Sequence, residues 1–239
     1  MKAIYYPEET RGKADYGWLK TNYSFSFSNW WDDKRVHLGA LRVLNDDFIA
    51  GGQGFGMHPH DNMEIITIPL SGALQHQDST GGKGTISAGE VQIMSAGSGI
   101  YHSEMNASAT EACTLFQIWI FPKEKNITPR YDQKLFGVEG RYNMLQMLVS
   151  PDQQNGSLWI NQNSWLSMIN LDEGKSFTYN MHDKNSGLYI MQVEGNSRIE
   201  NLDLKKRDAV GLFETDSVTL FAGNNCQLLF IEIPMEFAA

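Results

Sequence analysis

Basic clusters, paired cysteines and long apolar runs are all scarce in this 239-residue chain, and each shortage removes a class of function. Lys and Arg number 19 against 28 Asp and Glu, a formal charge of −9, and the longest basic run is Lys205-Lys206-Arg207. Neutralising phosphates or an anionic membrane surface requires clustered cations, so no direct nucleic-acid or membrane partner is expected. No stretch of about 20 apolar residues exists to cross a bilayer. The opening Met1-Lys2-Ala3-Ile4-Tyr5-Tyr6-Pro7-Glu8 is too short and too polar for a secretory signal. Cys113 and Cys226 each sit inside an apolar run and read as buried thiols of a reducing compartment. Sequence alone leaves a disulfide between them open. A cytoplasmic location is the expectation. Neither a Gly-x-Ser-x-Gly elbow nor a Cys-x-x-Cys pair occurs, which removes support for nucleophilic hydrolysis and dithiol redox chemistry.

What is present is alternation. Hydrophobic residues make up 41% and charged residues 20%, an ordinary globular balance, and 22 glycines are spread along the chain. Short apolar runs punctuated by Gly, Asn and Asp predict strands at 40–44, 63–70, 91–94 and 113–121. A second set is predicted at 158–162, 165–171, 188–193, 210–213, 218–221 and 227–233. No long amphipathic helix is evident, so the fold class is all-β. The two halves repeat one pattern: an apolar strand, a Ser-Gly or Glu-Gly turn, a polar strand, then two apolar strands ending at Pro122 or Pro234. This predicts two similar barrels, residues 1–148 and 149–239, divided in the polar stretch from Val149-Ser150-Pro151-Asp152 to Asn155-Gly156.

Two short segments carry the chemistry. Side chains at i and i+2 of a strand share a face, so His58 and His60 of Met57-His58-Pro59-His60 point together. The same spacing places His102 beside Glu104. Three imidazoles and a carboxylate from facing strands suit a divalent first-row ion, and four protein ligands on an octahedral ion leave two positions open. The nearby Gly52-Gln53-Gly54-Phe55-Gly56 is not a dinucleotide loop, because no helical pattern follows it. Glu64 is expected behind the ligands, holding them or packing. Gln117 and Trp119 share a face and are candidates for the pocket mouth. His76, alternating with Leu74 and Asp78, is expected on the surface.

These motifs resemble a known family. Gly52-(x)5-His58-Pro59-His60-(x)3-Glu64 is similar to the first cupin motif, although its closing Gly72 comes one residue late. Gly89-(x)9-Gly99-(x)2-His102-(x)3-Asn106 is similar to the second, with Gly97 where proline is usual and two extra residues before it. More narrowly, Ser24-Phe25-Ser26-Phe27, His76-Gln77-Asp78-Ser79, Met94-Ser95-Ala96-Gly97, His102-Ser103-Glu104-(x)1-Asn106 and Thr128-Pro129-Arg130-Tyr131 resemble the pirins. The resemblance covers residues 11 to 160, and the remainder more loosely. Tyr23 departs from the histidine often found before the Ser-Phe-Ser-Phe stretch.

The resemblance implies a bicupin, two double-stranded β-helices in tandem, with one divalent metal on His58, His60, His102 and Glu104. The metal would be Fe(II) first, with Mn, Ni, Co, Cu or Zn as alternatives. It implies a second barrel without a site, where Met181 and Asp183 replace the first two histidines and His182 is a surface residue. It further implies a dioxygenase that takes a flavonol such as quercetin and dioxygen, with Glu104 as catalytic base and Phe55, Met57, Met94 and Trp119 receiving the substrate. The alternative it implies is a non-enzymatic, redox-dependent modulator of a protein partner such as a transcription factor. Fold alone does not separate these from other cupin chemistries such as sugar isomerisation.

Overall fold

The computed structural model describes residues 1–153 and 156–237. Asn155, within the stretch expected to divide the halves, lies outside the described residues. The first half supplies β1 (Lys2–Tyr6), β2 (Gly12–Asp15), β3 (Leu19–Tyr23), β4 (Leu41–Ile49), β5 (Gly54–His60) and β6 (Glu64–Ser71). It continues with β7 (Ala73–Asp78), β8 (Lys83–Ser87), β9 (Glu90–Ser95), β10 (Ile100–Asn106), β11 (Cys113–Ile120) and β12 (Arg130–Leu135). The second supplies β13 (Gln146–Ser150), β14 (Leu158–Trp159), β15 (Trp165–Leu171), β16 (Ser176–Asn180) and β17 (Ser186–Glu194). It ends with β18 (Ser197–Ile199), β19 (Leu202–Leu204), β20 (Ala209–Phe213), β21 (Ser217–Ala222) and β22 (Cys226–Pro234). Among the described residues, helical segments are confined to short turns, including Glu8–Thr10 and Val138–Arg141. The chain is all-β, as expected, and every expected strand is present, although 158–162 shortens to Leu158–Trp159.

Each half pairs a wide sheet with a narrow one. In the first, β12-β9-β6-β11-β4-β3-β2 faces β5-β10-β7-β8. In the second, β1-β20-β17-β22-β15-β13-β14 faces β16-β21-β18-β19. β13 spans positions 148 and 149 and pairs only within the second wide sheet, and β1 crosses over to join that sheet against β20. We propose that the division between the barrels lies before β13, with β1 strapped onto the second.

The two wide sheets lie against each other, which explains their nearly unbroken apolar strands. On β11, Phe116, Ile118 and Ile120 join a buried cluster with Ile66, Leu166, Met168, Tyr189 and Leu229, while Leu115, Gln117 and Trp119 face into the first barrel. A strand buried on both faces loses the polar half of its alternation. Polar links stitch the seam. Arg207 Nε lies 2.7 Å from Asp46, its guanidinium 5.2 Å from the Phe116 ring centroid, and Glu64 accepts from the Asn161 N–H at 3.1 Å.

The interiors of the barrels differ. The second is filled by one continuous cluster that includes Tyr179, Ile190, Leu212, Leu220 and Phe230. The first contains two small separate clusters, Leu19, Ile49, Leu74, Cys113 and Leu115 at one place and Ile65, Met94, Ala96 and Ile100 at another. Polar side chains occupy the space between them.

Truncating the fully buried Phe116 to alanine should cost about 3–5 kcal/mol of unfolding free energy, the range for a large aromatic lost from a packed core. Urea denaturation followed by tryptophan fluorescence measures it. A loss below about 1 kcal/mol would contradict a shared core between the sheets.

Candidate metal centre

β5 and β10 run antiparallel in the narrow sheet of the first barrel. His102 pairs opposite His58 and Ile100 opposite His60, then the register slips so that Glu104 faces Phe55. The extra residue on β5 is a bulge, a device that re-aims side chains at the rim of a barrel. Gly54 makes the close approach of the strands possible, because a Cβ there would come within 2.3 Å of the Glu104 carbonyl oxygen and 2.5 Å of Met105 Cα.

The strand geometry brings three imidazoles together. Ring centroids lie 4.9 Å apart for His58 and His60, 4.4 Å for His58 and His102, and 4.8 Å for His60 and His102. Their ligand-capable nitrogens all lie within 4.8 Å of one another. Glu104 meets this spacing with His102 and His76 rather than with the whole trio. Its carboxyl group, 2% exposed as a residue, accepts from Gln117 Nε2 at 2.8 Å and from Thr67 Oγ1 at 3.3 Å.

The electrostatics favour neutral histidines. Burial, reinforced by the neighbouring imidazoles, lowers His102 to about 2 and His60 to about 4. Burial also raises Glu104 from 4.5 to about 7, against the opposing pull of the Gln117 and Thr67 bonds. A neutral imidazole is the form that offers a lone pair to a metal. His58 Nδ1 is 2.7 Å from the Gly56 carbonyl, which accepts its proton and leaves Nε2 bare. His102 Nε2 is buried and has no hydrogen-bond partner. A buried acceptor without a donor costs about 1–3 kcal/mol, and an ion held between the three rings would remove that cost. These donors fit a divalent first-row ion.

The trio opens into a cavity of ≈430 Å³ between the two sheets. Trp18, Phe27, Phe55, Ile65 and Trp119 provide its apolar walls, and Asn45, Asp47, Glu104 and Gln117 its polar ones. Gln117 and Trp119 therefore stand at the cavity, as their shared strand face suggested. Met57 does not: it is 56% exposed on the outer face of β5, because Pro59 and Met57 alternate outward as the histidines turn inward. Met94 is fully buried behind the cavity wall, packed with Ile65 and Ile100, and does not itself line the cavity. Glu64 is 1% exposed and bonded to Ser95 and Asn161 at the seam between the barrels, a structural position.

One histidine differs from expectation. His76 is 2% exposed, not on the surface, and lies against His102. The signal that reveals this is Leu74, which shares its strand face and points into the core; the exposed Gln75 and Gln77 between them obscure it. His182 is exposed, as expected, its ring stacked on Trp165 at 4.6 Å with Nδ1 2.8 Å from the buried Glu232 carboxylate. Asn45 and Asp47 were missed because Asn45-Asp46-Asp47 reads as a turn, whereas β4 runs straight through it. Cys113 and Cys226 are buried free thiols in separate barrels. Among the described residues, the clusters of three metal-capable side chains lie only in the first barrel, and no helix is long and apolar enough to cross a membrane.

Two facing-sheet barrels in tandem, the first with converging histidines, define a bicupin. Comparison with known proteins narrows the class. A family model described as Pirin matches residues 6–120, and one described as the quercetinase C-terminal cupin domain matches residues 147–233. Quercetin 2,3-dioxygenase of Escherichia coli strain K12 is 41% identical over 225 residues, covering 94% of this chain and 95% of that protein. A pirin-like protein of Caulobacter vibrioides is 37% identical over 227 residues, covering 95% of this chain and 97% of that one. Among solved structures, the bacterial pirin YhhW of Escherichia coli in complex with nickel(II) superposes with a TM-score of 0.92 at 38% identity, covering 98% of this chain and 99% of that one. The chain belongs to the pirin family.

The raised Glu104 predicts a pH signature in the metal-free protein. A carboxyl raised from 4.5 to about 7 gives its full stabilisation below 4.5 and loses it as pH rises through 7. The melting temperature of Glu104→Gln relative to wild type should therefore climb between pH 4.5 and 8. A pH-independent difference in thermal melts would contradict the buried, neutral assignment.

Proposed function

We propose that this protein is a metal-dependent dioxygenase of the pirin type that opens flavonols such as quercetin. The observation that carries the reading is the trio of His58, His60 and His102, one with a buried bare nitrogen, at the wall of an aromatic-lined cavity. The names of the full-length relatives support the substrate class.

In this reading His58, His60 and His102 hold one divalent ion, with Glu104 as fourth ligand or as the base beside it. Fe(II) is our first choice; Mn, Ni, Co, Cu and Zn suit the same nitrogen and oxygen donors. When bound, the ion supplies Lewis-acid stabilisation of the flavonol's deprotonated 3-hydroxyl. The residues do the rest. Trp18, Phe27, Phe55 and Trp119 provide apolar faces for a planar polycyclic substrate and keep bulk water from it. Glu104, buried at the cavity wall, takes the 3-hydroxyl proton as general base. Gln117 and Thr67 hold its carboxyl group in place. The net reaction consumes one flavonol and one dioxygen and yields a depside and carbon monoxide. A deep apolar cavity favours this catalytic role over partner modulation, and the two free buried thiols fit the reducing cytoplasm that we propose as its location.

Incubating metal-loaded protein with quercetin in air should bleach the flavonol absorbance with stoichiometric carbon monoxide. His60→Ala should abolish turnover, and Glu104→Gln should lower kcat about 100- to 10,000-fold, the range for a lost general base. Stable metal binding with no turnover of any flavonol would reject the proposal.

A further inference from the structure

One buried histidine and one buried carboxylate near the centre have no part in the chemistry above. Asp78 and His76 lie on β7, with Asp78 paired opposite His102 and His76 opposite Glu104 on β10. Their side chains are fully buried, and His76 Nε2 is 3.0 Å from Asp78 Oδ2. His76 Nδ1 in turn is 3.5 Å from His102 Nδ1. The Tyr131 ring stacks on His76 at 4.4 Å with an interplanar angle of 26°, which fixes the plane of the imidazole.

The bonding pattern dictates where the protons sit. Asp78 Oδ1 already accepts from the Thr80 N–H at 2.8 Å, the Thr80 hydroxyl at 2.7 Å and the Gly82 N–H at 3.0 Å. A carboxyl group accepting this many donors is held as the carboxylate, which has no proton to give. His76 Nε2 must therefore donate to Oδ2, and its Nδ1 is left as an acceptor. His102 Nδ1 must then carry its proton toward His76. The remaining nitrogen, His102 Nε2, is buried and without a hydrogen-bond partner.

We infer that Asp78 and His76 are positioning residues whose hydrogen-bond chain fixes the His102 tautomer with its bare Nε2 toward the metal. This rests on the reading of His102 as a ligand. His58 receives the same instruction from a backbone carbonyl, whereas His102, deeper in the barrel, has no such carbonyl bond and takes it from a carboxylate through a second imidazole. Partners of this kind typically contribute 10- to 100-fold to metal affinity.

Asp78→Asn isolates the effect. The carboxamide oxygen can still accept from Thr80 and Gly82, so the turn survives, while the amide nitrogen replaces Oδ2 with a donor. His76 Nε2 must then accept, and the proton pattern reverses along the chain, placing a hydrogen on His102 Nε2.

Two measurements test this. Long-range proton–nitrogen correlation spectra of metal-free wild type should show His102 protonated at Nδ1 and bare at Nε2, and Asp78→Asn should invert the pair. Ni(II) titration against a competing chelator should show Asp78→Asn binding about 10- to 100-fold more weakly, with His58→Ala as the control for a lost ligand. A wild-type His102 protonated at Nε2 overturns the inference whether or not the variant folds. So does an Asp78→Asn protein that keeps both the tautomer and Ni(II) affinity within about twofold while His58→Ala loses the ion. If wild type shows the expected tautomer but neither it nor the variants bind Ni(II), the ligand reading fails, and the role given to Asp78 and His76 fails with it.

Discussion

Keeping three imidazoles neutral and facing one another is the demand around which the first barrel is organised. Protonated, rings 4.4 to 4.9 Å apart would repel one another strongly at the low dielectric of a barrel interior. Burial solves this by lowering the affinity of His60 and His102 for protons. The same burial raises Glu104 in the metal-free protein, so one cause keeps imidazole lone pairs available and a carboxyl group neutral beside them.

That environment requires an interior that is dry without being full. The second barrel shows what full looks like: Tyr179, Phe230 and their neighbours form one continuous cluster, and its single histidine is turned onto Trp165 and Glu232. The first barrel divides its apolar residues into two groups and leaves polar side chains and a cavity between them. An incompletely packed interior sacrifices stability. The shared core between the wide sheets, with Phe116, Tyr189 and Leu229 buried in it, offsets the loss by bracing the β6–β11–β4 wall from behind. The second barrel thus serves as a scaffold for the first.

Much of this was legible in the sequence, and the misses have physical reasons. His58 with His60, and His102 with Glu104, were readable because a strand repeats every two residues and chance seldom supplies two such pairs flanked by glycines. Trp165–Leu171 was readable to its ends because one sheet buries it between turn-forming residues. His76 was misread because Gln75 and Gln77 made its strand look solvated on both faces, when only one is. The crossing of β1 into the far sheet was invisible, since Lys2–Tyr6 carries no mark of which edge it will pair with. The grouping of Glu104 with His76 follows from the pairing of β7 against β10, a register between strands distant in sequence that no local pattern announces.

The central claim is that one ion sits among His58, His60 and His102 in the first barrel. Anomalous diffraction collected at the absorption edge of the metal, from crystals of the loaded protein, tests it most directly. A single strong peak within about 2.0–2.2 Å of a nitrogen from each histidine is the predicted result. A peak elsewhere, or none among those three rings in protein that demonstrably carries metal, would contradict it.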